Sequence, residues 1–259
     1  MEDTIYINGR ACERYRHFGK PYLRERIRTE GYRAQAIEHH IRRLASVAES
    51  LYGERENLSA DAIQREVDQL LRGGHYSATA CHIVELRTYG AGHYSLHVVE
   101  TSFYNRFGLR AIRPIARLTR EPIPFNGAPT SAYAELVEHL RRTVNVARED
   151  GDSRNAVPVN INHTGCVTSI DGCTPIAVKG REIIFAPTLD DPYTEQLLAL
   201  CRRLRGGQIV VRPLMESELN ALDELMYVDA RGITSVAECG RAVYADIIAN
   251  VLDRAMEQE

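Results

Sequence analysis

The fold prediction depends most on three short runs between residues 165 and 187. They are Gly165-Cys-Val-Thr-Ser169, Thr174-Pro-Ile-Ala-Val-Lys-Gly180 and Ile184-Phe-Ala-Pro187. These short apolar and β-branched runs follow one another closely, and Lys179-Gly180 marks a turn between the last two. A helix is predicted directly afterwards from Asp191-Pro192, where the acid can cap and proline takes the first helical position. The stretch therefore predicts several short strands followed by a helix.

Outward from this stretch, the chain mixes helices and strands in both halves. Helical periodicity predicts four further helices, at residues 34–52, 60–71, 132–148 and 241–256. Between the halves, Arg120-Glu-Pro-Ile-Pro-Phe-Asn-Gly-Ala-Pro-Thr130 holds three prolines and a glycine, which is typical of a linker. We therefore expect an α+β protein with an N-terminal subdomain over 1–120, a linker over 121–130 and a C-terminal subdomain over 131–259.

Composition sets the general class of protein. The 259 residues are 44% hydrophobic and 26% charged, which is ordinary for a soluble globular chain. A net charge of −3 excludes a strongly basic protein that coats nucleic acid. The acidic N-terminus lacks a signal-peptide stretch, and no run reaches the ~18 apolar residues of a spanning helix. We expect a cytoplasmic protein with no nucleic-acid or membrane partner.

Cysteine and histidine spacing gives no metal motif. The six cysteines are scattered, and we expect them to be reduced and mostly buried. The best cluster, His163-x2-Cys166-x6-Cys173, lacks a paired C-x2-C spacing and a fourth ligand. The predicted site therefore contains no metal.

Lysine is the residue type whose scarcity limits the chemistry. The chain has 30 arginines and only two lysines, Lys20 and Lys179. Any mechanism that needs a lysine Schiff base therefore has two candidates.

Three stretches together carry a family resemblance. The first is Ala36-Ile-Glu-His-His40-Ile-Arg-Arg43-Leu-Ala-Ser-Val-Ala-Glu-Ser50, where His-x-x-Arg-Leu precedes small residues. The second runs from Val157 to Leu204 and includes the strands quoted above. The third ends in Glu224-Leu-Met-Tyr-Val-Asp-Ala-Arg-Gly-Ile-Thr-Ser-Val236. In order and spacing they resemble the class IV aminotransferases, the fold-type IV pyridoxal-phosphate enzymes, which include branched-chain and D-amino-acid aminotransferases and aminodeoxychorismate lyase.

The resemblance implies a two-domain α+β fold, a homodimer and pyridoxal phosphate as cofactor. In that family a lysine after the linker forms a Schiff base with the cofactor, and a glutamate ~30 residues later keeps the pyridine ring protonated. Here Asn126 to Ala132 and the helix after them hold no lysine. The family's glutamate falls on Ser169, and its asparagine four residues later falls on Cys173.

The phosphate-binding positions also depart from the family pattern. The family's Gly-Ile-Thr-Arg helix start matches Asp191-Pro192-Tyr193-Thr194, where an acid and a proline replace favourable contacts. The later Gly-Thr pair falls near Asp229-Ala230. Arg43 matches the phosphate-binding arginine, His40 lies beside it, and Tyr133 matches a tyrosine near the cofactor. The candidate ligand-binding residues are thus Arg43, His40, Tyr133, Ser169, Cys173, Tyr193, Thr194 and Ala230, with no catalytic residue among them.

These departures favour a degenerate aminotransferase-like protein without its cofactor, which binds a small anionic ligand in an interdomain cleft through Arg43 and its neighbours. One alternative is an active transaminase or lyase that uses an unrecognised lysine. Another is a cofactor-independent enzyme that reuses the cleft, with His163, Cys166, Ser169, Asp171 and Cys173 as its polar groups. A third is a partner-binding subunit.

Overall fold

The structure is a computed structural model that describes residues 5–12, 21–53, 56–102, 106–146, 155–187, 191–204 and 208–257. It divides into two compact units. Unit 1 comprises residues 1–106 and 128–132, and unit 2 comprises residues 107–127 and 133–259. Both units contain helices and strands, so the predicted α+β class is confirmed.

Unit 1 is a six-stranded antiparallel sheet with two helices. Its strand order is β2-β1-β6-β5-β3-β4. The elements in chain order are β1 (Ile5–Ile7), β2 (Arg10–Cys12), β3 (Leu23–Glu30), β4 (Arg33–Ala34), α1 (Ile37–Tyr52), α2 (Ala60–Gly73), β5 (Cys81–Thr88) and β6 (Tyr94–Ser102).

The two helices of unit 1 form where their apolar residues recur at spacings of three and four. Helix α1 buries Ile41, Leu44 and Ala48, and helix α2 buries four aliphatic side chains on one face. The Ser59 hydroxyl accepts a hydrogen bond from the backbone N–H of Ala62 and so caps α2. One core joins both helices to the inner face of β3, β5 and β6.

Unit 2 contains two five-stranded sheets and three helices. The sheet orders are β12-β11-β10-β13-β14 and β16-β15-β7-β8-β9. The elements are β7 (Ile115–Thr119), α3 (Ser131–Val146), β8 (Ala156–Ile161), β9 (Val167–Ile170), β10 (Ile176–Lys179), β11 (Glu182–Phe185), α4 (Pro192–Arg203), β12 (Gln208–Val211), β13 (Glu224–Asp229), β14 (Gly232–Ser235), β15 (Glu238–Cys239), β16 (Ala242–Val243) and α5 (Ile247–Met256). Short 3-10 helices cover Pro124–Gly127 and Glu216–Ala221.

The short strands after residue 155 lie where the sequence predicts them. Strands β10 and β11 pair antiparallel across the Lys179–Gly180 turn, and β8 pairs antiparallel with β9. One core gathers buried side chains from both sheets. Residues 165–187 therefore form β9 of one sheet and β10 and β11 of the other sheet of unit 2.

The final helix begins later than its periodicity predicts. The predicted helix over 241–256 starts at Ile247, because Ala242 and Val243 form β16 and pair with β15. Periodicity predicts one apolar face formed by Val243, Ile247, Ile248, Val251 and Leu252. Only part of it is buried, since Leu252 is 1% exposed whereas Ile247 is 68% exposed. Residues 109–118 also have the pattern of a strand, with an interruption at Pro114, and the observed strand covers Ile115–Thr119, directly after that proline.

The compact units divide the chain differently from the predicted subdomains at two places. Residues 107–120 lie with unit 2, because β7 pairs in parallel with β8 and with β15. The last part of the proline-rich segment lies with unit 1, where Thr130 bridges Leu23 and Ser131 donates its N–H to the carbonyl of Tyr22.

Within the part of the chain that the structure describes, none of the helices is long and apolar enough to cross a membrane.

Candidate functional site

The two candidate residues of α1 share a buried carboxylate. His40 and Arg43 lie three residues apart, on the same face of the helix. Glu25 of β3 alternates in phase with Leu23 and Ile27, so its side chain lies on the inner face of the sheet. The Arg43 Nη1 donates to Glu25 Oε1 at 2.7 Å, and the His40 Nδ1 lies 2.8 Å from Glu25 Oε2.

This carboxylate neutralises most of the charge that Arg43 would offer to an anion. Burial alone raises the pKa of Glu25, but Arg43 and His40 outweigh burial and hold that pKa below its usual value. Glu25 therefore stays ionised beside the arginine. The sequence prediction did not include Glu25, although an acid in phase with the apolar residues of β3 was a signal.

A second polar cluster lies in unit 2, where α3 meets the turn after β9. Asp171 and Gly172 form this turn with positive φ angles of 54° and 82°. Arg141 of α3 forms a bidentate ion pair with Asp171, in which Nε donates to Oδ1 at 2.5 Å and Nη2 donates to Oδ2 at 2.9 Å. The hydroxyl of Tyr133, one of the candidate residues, donates to the carbonyl of Gly172 at 3.0 Å.

Ser169 and Cys173 flank this turn. Ser169 is buried on β9 opposite Asn160 of β8. The backbone of Cys173 forms an isolated β-bridge with that of Ile170. Burial, and the nearby carboxylates of Asp229, Asp171 and Asp191, raise the pKa of the Cys173 thiol well above its usual value. The family resemblance places this region beside the cofactor, and here it holds a neutral thiol close to three acidic side chains.

The start of α4 is already capped by the chain itself. The Asp191 Oδ2 accepts hydrogen bonds from the backbone N–H of Thr194 at 3.0 Å and from its hydroxyl at 2.5 Å. Pro192 supplies no N–H, and the ring of Tyr193 stacks on Phe107 with centroids 5.7 Å apart. Two groups that could face a phosphate, an N–H and a hydroxyl, therefore point at a carboxylate.

Ala230 lies in the turn between β13 and β14. It is buried and carries no polar side-chain group. Next to it, Asp229 accepts hydrogen bonds from the backbone N–H of Arg231 at 2.7 Å and from its guanidinium at 3.2 Å. This turn also holds a carboxylate that is satisfied locally.

The structure therefore brings Tyr133, Cys173, Thr194 and Ala230 into one unit, together with three acids. Arg43 and His40 lie in unit 1 around Glu25. The candidate ligand-binding residues did not include Asp229 or Arg141, and Asp171 was named only among the polar groups of the alternative enzyme. The pairing of Arg141 with Asp171 depends on how α3 packs against the turn after β9, which residue spacing does not show.

One of the two lysines can be placed. Lys179 lies at the turn between β10 and β11, where its side chain is 44% exposed and its Nζ is 4.0 Å from Glu218 Oε1. Lys20 lies outside the described residues.

The thiols do not have the character of nucleophiles. Burial raises the pKa of Cys166, as it does that of Cys173, so both are protonated near neutral pH. Among the described residues, no group of three or more His, Cys, Asp or Glu side chains is arranged to hold a metal ion. The two cysteines of this cluster therefore lack the lowered pKa that activates a nucleophilic thiol.

A pocket of about 760 Å³ lies within unit 2, between the segment after β7 and the β8–β9 hairpin. Arg120 lines it and pairs with Glu216 at 2.6 Å. Asn160 uses both ends of its amide, accepting from the N–H of Glu121 at 2.9 Å and donating to its carbonyl at 2.8 Å. Arg120 and Asn160 of this pocket are thus both engaged by other groups of the protein.

The architecture defines a class of fold, that of the branched-chain aminotransferases. A solved structure of this enzyme from Thermoproteus uzoniensis with norvaline superposes with a TM-score of 0.79 at 15% identity, over 98% of this chain and 93% of that one. The Escherichia coli branched-chain amino acid aminotransferase gives 0.77 at 13% identity, over 98% and 92% of the two chains. The predicted two-domain fold-type IV architecture is confirmed.

A third solved structure is that of a putative branched-chain amino acid aminotransferase from Thermotoga maritima. It gives a TM-score of 0.80 at 14% identity, over 100% of this chain and 96% of that one. No model of a protein family and no curated protein sequence matches this chain. At these identities the likeness establishes the fold.

Proposed function

We propose that this chain is an aminotransferase-fold protein that does not perform pyridoxal-phosphate chemistry and that binds a small anionic ligand instead. The observation that carries the proposal is the composition of unit 2 where the family resemblance expects a cofactor. That region holds Ser169, the protonated thiol of Cys173 and three carboxylates.

The described side chains do not fit pyridoxal phosphate. A pyridinium nitrogen needs a carboxylate partner, and Ser169 offers a neutral hydroxyl. A phosphate would meet the carboxylates of Asp191 and Asp229, which already hold the nearby donors. The described lysine, Lys179, is at an exposed turn and near Glu218. Several independent mismatches argue more strongly than a single substitution would.

The anionic ligand needs an arginine whose charge is available. Arg43 was the predicted anchor, and its ion pair with Glu25 supports a structural role in unit 1. An external anion at Arg43 would have to compete with a carboxylate that is already in place and buried. The small anion that we propose is therefore bound by a residue other than Arg43.

The proposal predicts no transaminase activity. We would incubate the purified chain with pyridoxal phosphate, a panel of amino acids and 2-oxo acids, and measure amino-group transfer. The expected rate equals that of buffer with free cofactor. Transfer above that rate, lost in Lys20→Arg or Lys179→Arg, would establish the alternative of an active enzyme with an unrecognised lysine.

Two further features belong to the same proposal. The family resemblance supports a homodimer, for which light scattering should give twice the chain mass of 29.2 kDa, whereas a single-chain mass would contradict it. The free thiols of Cys81, Cys201 and Cys239 support a reducing, cytoplasmic location. Microscopy of a tagged full-length chain tests that location, and an exclusively extracellular signal would contradict it.

A further inference from the structure

A smaller pocket of about 360 Å³ lies within unit 2, where α3, the start of β8 and the β13–β14 hairpin meet. Arg110, Arg141 and Arg231 line this pocket. Among its described lining residues, Asp171 is the one carboxylate, so three positive charges face one negative charge. None of the predicted ligand-binding residues lines this pocket.

Two of the three arginines have carboxylate partners. Arg141 is held by its bidentate ion pair with Asp171. The guanidinium of Arg231 donates to Asp229 Oδ2 at 3.2 Å. These two positive charges are compensated within the protein. The two arginines therefore shape the pocket wall and add little net charge to it.

Arg110 is different. Its Nη1 donates to the Thr234 hydroxyl at 3.2 Å, and within the described part of the chain it makes no ion pair with a carboxylate. Its Nε is buried and has no hydrogen-bond acceptor among the described residues. A buried N–H of a charged group without an acceptor is costly, so the protein satisfies this guanidinium only in part.

The position of Arg110 is fixed by the backbone. Its N–H donates to the carbonyl of Ile233 at 2.9 Å, and the neighbouring Leu109 forms a bridge to the same residue. The arginine is therefore placed at the edge of β14 before any ligand binds. The hydrogen bond from its Nη1 to the Thr234 hydroxyl also orients the guanidinium, and an oriented group loses less conformational entropy when it binds an anion.

We infer that this pocket binds a small organic carboxylate through Arg110. With Asp171 and Asp229 included, the local charge of the three arginines and two acids is +1, which a monoanion balances. A phosphate dianion would leave excess negative charge beside Asp171. Ile112, Pro114 and Val157 also line the pocket and offer an apolar wall to the rest of the molecule.

This inference rests on the proposed function only in that it gives a chemical class to the small anion. Whether pyridoxal phosphate binds is measured with a different ligand and a different signal. Failure of one test therefore leaves the other result standing.

Isothermal titration calorimetry of the full chain tests the assignment with acetate, propionate and benzoate, each beside its neutral amide. The carboxylates should bind and the amides should not. Arg110→Gln should weaken carboxylate binding at least about tenfold, because it removes the charged donor. Arg202→Gln, which changes an exposed arginine of α4, should change the Kd by less than about twofold.

A second variant guards against misfolding of Arg110→Gln. Ile112 is 50% exposed at the pocket, so Ile112→Glu should fold and should repel a carboxylate, with loss of binding. Val211→Glu, at a residue that is 55% exposed elsewhere in unit 2, is the matched control and should bind as the parent does. Equal binding of amides, unchanged binding in Ile112→Glu, or tighter binding of inorganic phosphate would overturn the assignment.

Discussion

At the scale of single residues, the account depends on which charges are already compensated. Arg43 was identified from the sequence because it follows His40 in a recognisable helix. Its partner Glu25 lies 18 residues earlier and meets it only after β3 packs under α1. Spacing along the chain could predict the arginine, but the ion pair is a product of tertiary packing.

The Glu25 carboxylate should be a strong stabiliser of unit 1. Glu25→Gln would leave the charge of Arg43 without its buried counter-charge, and we expect the free energy of unfolding to fall by about 3–5 kcal/mol. Chemical denaturation measures this change. Glu38→Gln, at an exposed position of α1, is the control and should have little effect. A loss at Glu25 no larger than that at Glu38 would be incompatible with a buried ion pair.

A buried histidine should make stability depend on pH. Burial lowers the pKa of His97 to about 4, against an ordinary value of 6.5. The folded protein therefore keeps His97 neutral while the unfolded chain takes up a proton. Its contribution to stability is complete above pH 6.5 and declines as the pH falls from 6.5 towards 4, by about 3 kcal/mol in all.

Denaturation at pH 7.0 and pH 4.5 tests this effect. His97→Gln should lose less stability than the parent between these two pH values, because it removes the group that protonates on unfolding. His139→Gln, which changes an exposed histidine of α3, should follow the parent. Identical pH dependence in all three proteins would show that His97 is not held neutral.

At the scale of elements, sequence reasoning succeeded where local signals agree. Helix α2 has both an apolar stripe and a serine cap. The sequence Gly90-Ala91-Gly92 between two β-like runs predicts a hairpin turn, and these three residues have positive φ angles between β5 and β6. Sequence reasoning failed at the last helix, because apolar spacing does not distinguish a helix turn from the two-residue strands β15 and β16. Strand β16 pairs with β15, and β15 pairs in turn with β7, which lies far away in sequence.

The burial of α5 gives a direct test. Leu252 is 1% exposed and packs in unit 2, so Leu252→Ala should cost about 2–5 kcal/mol of unfolding free energy. Ile247→Ala removes an exposed side chain and should change stability by less than about 0.5 kcal/mol. A larger loss for Ile247→Ala than for Leu252→Ala would contradict the observed burial of this helix.

At the scale of the whole molecule, the fold could be predicted from the order of weak motifs along the chain. No single motif was specific, yet the strands around Gly165–Pro187 and the helix at Asp191 occur in the expected sequence. The candidate site could be predicted less well. Its key contacts, such as Arg141 with Asp171, join α3 to a turn 30 residues away. These contacts are set by packing and leave no local pattern.

The scarcity of lysine gains its meaning from this architecture. A chain with 30 arginines and two lysines could have kept a cofactor lysine in the right place. Instead Lys179 lies at an exposed turn, and acids surround Cys173. We propose that this chain keeps the aminotransferase fold without a site for pyridoxal phosphate.

Trapping of the cofactor with borohydride tests whether the chain forms a Schiff base with pyridoxal phosphate. The full chain is incubated with pyridoxal phosphate, reduced with borohydride, freed of unbound cofactor and weighed as an intact protein by mass spectrometry, beside the Lys20→Arg and Lys179→Arg variants. We predict no saturable adduct of one cofactor per chain. A stoichiometric adduct that forms at low cofactor concentration and disappears in one of the two lysine variants would contradict the account.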